Sequence, residues 1–243
     1  MAKLKVLKYS KEDVMSFLEE HGKPGAKKAL MKHGAKNPFF GTSISDMKKL
    51  TKKIKKDHEL SLSLYETGNT DAMYFAGLIA DETRISKDEL QKWAKDAYWH
   101  LLSESTVAWV AAESNYGFEL AREWLDDDQE MIAPAGWATF SSLLSIRDSS
   151  EFDPSEISRL LNRINSSIHS ERNRVRYTMN NFVICVGAYL PDFTGKAKEI
   201  GNRIGKVDVD MGGTACRVPL ITPYIEKIEA RGAIGKKRKH ARC

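Results

Sequence analysis

Apolar residues recur at helical spacing along almost the whole chain, and turn-forming residues interrupt that pattern every ten to twenty positions. No strand alternates with a helix, and no pair of β-branched runs flanks a hairpin turn. Val207 to Met211 (VDVDM) is the one plausible strand, but a lone strand has no partner, so Lys206 to Pro219 reads as an irregular loop. About a dozen short helices remain, joined by few residues, and such neighbours pack as antiparallel pairs. Pairs of roughly 35 to 45 residues stack into a solenoid. The expectation is an all-α protein: an α-solenoid of stacked antiparallel helix pairs in one curved domain over residues 1–235, then a basic tail at 236–243.

Several helix boundaries are explicit. Ser10-Lys11-Glu12-Asp13 and Ser43-Ile44-Ser45-Asp46 have capping-box spacing, and Pro24 and Pro154 stand where a helix tolerates proline, in its first turn. Between the first two, KNPFFG holds Phe39 and Phe40 in a loop, where aromatics plug a neighbouring groove. From Asn173 onward, Phe182 to Leu190 is apolar enough to be buried nearly all round. The last helix is expected over Pro223 to Arg231, and the tail after it is expected to be mobile.

Charge is strongly segregated. Residues 1–56 carry a net +10 and residues 236–243 five more positive charges, which against the chain's +5 leaves the stretch between at −10. On the helix opened by Ser43, Ile44, Met47, Leu50 and Ile54 form one stripe. Lys48, Lys49, Lys52, Lys53, Lys55 and Lys56 crowd the other face with no carboxylate interleaved. A solvated face normally interleaves both signs at i,i+4 spacing, so this one fits phosphate-backbone contact as well as solvent. Arg147, Arg174 and Arg176 and the tail cations Lys236, Lys237, Arg238 and Lys239 are the other candidate contacts to a polyanion.

The remaining composition narrows the chemistry. Cys185, Cys216 and Cys243 lack metal or disulfide spacing, and His21, His33, His58, His100, His169 and His240 lack any HxxxH pattern, so neither a metal nor a cofactor is expected. Gly212-Gly213-Thr214 is only a weak signal for an anion-binding nest. The opening MAKLKVLKYSKEDV has no apolar run of signal-peptide length, and nothing approaches the roughly 20 apolar residues of a membrane span. A cytoplasmic monomer is the expectation.

Four of the five tryptophans fall between Tyr98 and Ser145. There Ser105 is placed to cap a helix on which Trp109 and Glu113, four residues apart, share one face. An aromatic beside a carboxylate can contact and stabilise a cation, although such a pair also serves as core and core edge.

The succession of short helices, the block GAKNPFFGTSISDMKKLTKKIKKDHELSLSLYETGNTDAMYFAGLIAD, the Trp109/Glu113 helix and the basic C-terminal end resemble the DNA alkylation repair family. These are bacterial HEAT-like repeat glycosylases that excise alkylated purines. The resemblance covers most of the chain. It implies a C-shaped solenoid holding duplex DNA, alkylated where it acts as substrate, against a basic face. It also implies catalytic roles for Glu113, as the carboxylate facing an oxocarbenium-like sugar, and for Trp109, as the aromatic wall. The family's carboxylate is an Asp; the longer Glu shifts it by about 1 Å, enough to matter for catalysis. Its Trp-Leu-x-Arg motif is replaced here by MIAPAGWATFSS, with Pro134 near the expected arginine and Trp137 displaced. A further tryptophan is missing from NNFVICVGAY. Three readings follow: a glycosylase for cationic N3- or N7-alkylated purines, a non-catalytic HEAT-like binder of damaged DNA, or a protein-binding scaffold.

Overall fold

The computed structural model describes residues 9–242, so the first eight residues of the opening stretch, and Cys243, lie outside the described residues. Among the described residues it contains thirteen α-helices and no strand beyond an isolated bridge between Gly22 and Thr42. The all-α expectation holds. Contacts divide the chain into two compact units, Met1–Ile85 and Ser86–Cys243.

The first unit comprises α1 (Lys11–Glu20), α2 (Pro24–Lys32), α3 (Ile44–Ile54), α4 (His58–Tyr65) and α5 (Thr70–Ile79). Every residue of α5 is buried, and α1, α3 and α4 pack on it. Its cap does double duty. Asn69 accepts from the Asp71 and Ala72 amides at 3.0 and 3.2 Å, and Asp71 in turn accepts from the amides of Phe40, Gly41 and Thr42 at 2.7, 2.8 and 3.4 Å. One buried carboxylate thereby pins the Pro38 loop, and burial pushes its pKa up despite those three donors. Gly41 has φ +84°, and a Cβ there would meet the Lys27 nitrogen at 2.7 Å, so only glycine serves. Phe39 is buried as expected of a plug. On α3 the Ser43 hydroxyl accepts from the Asp46 amide at 3.2 Å, Met47 and Leu50 are buried, and all six lysines of the run are exposed.

The second unit comprises α6 (Lys87–Asp96), a π-helical segment Leu102–Val107 continuing into α7 (Ala108–Glu113), α8 (Gly117–Trp124), α9 (Ile132–Ile146), α10 (Pro154–Ser167), α11 (Asn173–Tyr189), α12 (Thr194–Ile204) and α13 (Ile221–Ala230). Helix α9 is apolar nearly all round, α11 is buried along most of its length, and the two form the centre, where Trp137, Phe140 and Phe182 meet edge to face at 5.2 and 5.5 Å. Trp137 is thus core, and Pro134, near the start of α9, costs no helix. Helices α8 and α9 are antiparallel: a Cβ on Gly117 would meet Leu143, and one on Gly136 would meet the Leu125 nitrogen at 2.8 Å. Helices α6, α8 and α10 form a second layer stitched by surface ion pairs, Lys87 to Glu119 and Glu123, both 2.9 Å, Arg122 to Glu156, 2.8 Å, and Arg163 to Asp126, 2.6 Å. Residues 206–219 are irregular, as expected. No described helix is long and apolar enough to cross a membrane.

Candidate nucleic-acid interface

Trp93, Trp99, Trp124 and Trp137 are core residues; Trp109 alone is only partly buried. It lines a cleft of about 330 Å³ together with Glu104, Ser141, Cys185, Tyr189, Tyr224 and Arg238, among others. The backbone ahead of Trp109 differs from expectation. Ser105 does not cap a helix: it lies inside the π-helical segment, because the chain is already helical from His100. Five residues span about 140° beyond a full turn of α-helix but close to one turn of π-helix. The π segment therefore lets Glu104 and Trp109 reach the same cleft.

Glu104 is met there by Arg174 of α11, whose Nε and Nη2 donate to its two carboxylate oxygens at 2.6 and 2.5 Å; both side chains are about 10% exposed. The guanidinium also lies 4.3 Å from the Tyr177 ring centroid. Burial pushes the Glu104 carboxyl upward, and Arg174 opposes it. Arg174 is consequently a buried ion-pair partner and not the solvent-facing cation expected of it. Arg147 is also turned inward, Nη2 donating to the Ser114 carbonyl at 3.4 Å, with its Nε buried and unbonded. Arg176 reaches Asn173 at 3.4 Å, and its Nε is likewise buried and unbonded.

Glu113 has the expected place one helical turn beyond Trp109, but its carboxylate is occupied. Oε1 accepts from the backbone amides of Ala241 and Arg242 at 2.7 and 3.1 Å, and Oε2 receives the Arg242 guanidinium through Nε at 2.7 Å and Nη2 at 2.6 Å. The two side chains are 8 and 10% exposed. The tail is therefore docked along its described length, contrary to the mobile segment expected. A buried carboxylate needs donors, and the tail supplies them. Lys237 donates to the Leu144 carbonyl at 2.9 Å and lies near the rings of Phe152 and Tyr189, and its burial lowers its pKa. Lys236, Arg238 and Lys239 remain exposed. In the first unit, Lys49 pairs with Asp46 at 2.7 Å and Lys56 with Glu82, while Lys48, Lys52, Lys53 and Lys55 make no ion pair among the described residues.

A fold of paired helices with an aromatic cleft, exposed lysines and, among the described residues, no strand defines the class, and comparison places the chain within it. The family model for the DNA alkylation repair enzyme matches residues 14–197, and the chain belongs to that family. Uncharacterized proteins of Listeria monocytogenes and Listeria innocua are 31 and 30% identical to it over 214 residues, 86% of this chain and 92% of each of theirs. A solved structure superposes with a TM-score of 0.89 at 36% identity, covering 97% of this chain and all of the other. It represents a new family of proteins related to the HEAT-like repeat DNA glycosylases with affinity for branched DNA structures. The HEAT-like repeat fold expected from the sequence is thereby shown.

Proposed function

We propose that this protein binds branched DNA and does so without cleaving a glycosidic bond at Glu113. The observation that carries the reading is the occupied carboxylate. A glycosylase of this kind needs a free anion opposite the developing sugar cation, whereas Glu113 already holds a guanidinium and two amides. The similarity to a protein of 36% identity with affinity for branched DNA supports the same reading. Binding would rest on the exposed cations Lys48, Lys52, Lys53 and Lys55 and the tail residues Lys236, Arg238 and Lys239, with the Trp109 cleft taking bases unstacked at a branch point.

A second reading, excision of a cationic N3- or N7-alkylated purine, is favoured by Trp109 standing at a cleft four residues before Glu113. It requires Arg242 to leave the carboxylate. The deciding experiment measures affinity for a four-way junction against linear duplex, and base release from duplex carrying labelled N7-methylguanine. Junction preference with no release supports the binder. Release of the labelled base makes the second reading correct, and unmeasurable affinity for any DNA leaves a protein-binding scaffold.

A further inference from the structure

We propose that Glu113 is a positioning residue that fastens residues 235–242 as a rigid, DNA-contacting strap; this rests on the DNA-binding reading above. The segment GKKRKHAR holds five Lys or Arg residues in eight positions, and the fold sorts them by direction. Lys237, Ala241 and Arg242 turn inward, whereas Lys236, Arg238, Lys239 and His240 are exposed.

Each end is pinned. At the start, the Gly235 amide donates to the Ala188 carbonyl at 2.8 Å, the Arg238 amide to the Ser145 carbonyl at 2.7 Å, and the Lys237 ammonium to the Leu144 carbonyl. At the far end Glu113 receives the amides of Ala241 and Arg242 and the Arg242 guanidinium. So dense a run of like charge repels itself and would otherwise remain solvated and disordered. One buried carboxylate neutralises a charge of the run while satisfying its backbone.

The consequence is pre-organisation. Lys236, Arg238 and Lys239 are presented from a fixed backbone, with Arg238 at the wall of the cleft that Trp109, Tyr189 and Tyr224 also line. A phosphate backbone passing the cleft would meet cations that need not be ordered on binding, which raises affinity. The ligand chemistry is a polyanion with an unstacked base, as a DNA branch point presents.

The test exploits a sign. Replacing Glu113 makes the protein more positive, so simple charge attraction predicts tighter DNA binding. The strap predicts weaker binding. Glu113→Ala, Arg242→Ala and Arg242→Lys in the full chain are compared with the parent for four-way-junction affinity and for the rate at which trypsin releases peptides from residues 236–242, followed by mass spectrometry. Expected are an affinity about fivefold or more weaker in Glu113→Ala and Arg242→Ala, faster tail cleavage in both, and an intermediate Arg242→Lys. Should Glu113→Ala fail to fold, Glu113→Gln carries the test, since it removes the same negative charge, and with it the ion pair to Arg242, while keeping the side chain's volume. Unchanged cleavage, or equal or tighter binding by the variants, overturns the proposal. A parent that binds no junction refutes the DNA reading instead, and its tail cleavage still reports whether Glu113 fastens the strap.

Discussion

Arg174 and Glu104, seventy residues apart in sequence, meet guanidinium to carboxylate through two parallel hydrogen bonds of 2.6 and 2.5 Å in the interior of the second unit. The pair joins α11 to the π segment before Trp109, so it holds the cleft as well as the fold. Arg174→Ala would strand a buried carboxylate, and a loss of about 3 to 5 kcal/mol is expected in chemical denaturation. The double variant Glu104→Met, Arg174→Met should recover most of it, because no charge is left buried. A single variant within 1 kcal/mol of the parent, by the same measurement, would show that water reaches the pair.

On α3, Asp46 has its pKa lowered to about 2 by hydrogen bonds from Lys49 and then Ser43. Because the folded-state value lies below the ordinary aspartate value of 3.8, its stabilising contribution is complete above that value and is lost as pH falls towards 2. Asp46→Asn should therefore lower Tm at neutral pH. The gap from the parent should close between about pH 4 and pH 2 in melts followed by circular dichroism. A gap that stays constant over this range would mean that the lost contact is not ionic.

The elements that could be read from sequence are those whose causes are local. Ser10, Ser43 and Asp153 cap helices within a few residues of themselves, and α10 follows its own apolar periodicity. What could not be read depends on partners far along the chain or on register. The π segment leaves no periodic trace, so Ser105 looked like a cap. Arg174 looked like a free cation because Glu104 lies 70 positions away, and Glu113 looked available because its partner Arg242 is 129 positions away. Trp109 needed the structure only to separate it from four core tryptophans of the same composition.

The lysine face of α3 offers a direct test of phosphate contact. Lys48, Lys52 and Lys55 are exposed and outside any ion pair among the described residues, so Lys→Glu changes there leave the buried stripe of Met47 and Leu50 intact. The triple variant should keep its helical content and bind all DNA forms more weakly. The slope of log affinity against log salt should shrink by up to about 3, one unit per phosphate contact removed. An unchanged slope would remove α3 from the interface.

The two described cysteines should differ in reactivity. Cys216 is exposed, whereas Cys185 forms part of the cleft wall and its thiol is pushed up to about 12 by burial, so almost no thiolate exists at neutral pH. Peptide mapping after brief iodoacetamide treatment at pH 7.5 should find Cys216 modified and Cys185 intact until the protein is denatured. Early labelling of Cys185 would show that the cleft opens under native conditions.

Trp109 provides the last prediction. As the tryptophan that reaches the cleft from only partial burial, it offers an aromatic surface that a paired, stacked base cannot use but an unstacked one can. Stacking of one base on an aromatic side chain is worth about 1 to 3 kcal/mol, so Trp109→Ala should weaken junction binding by roughly 5- to 150-fold and linear duplex binding much less. Trp109→Phe keeps a stacking face and should fall between. Because Trp109 also packs beside the second unit's core, each variant's Tm must be measured with its affinity. Equal losses for junction and duplex at unchanged Tm would place the branch-point base somewhere other than this cleft.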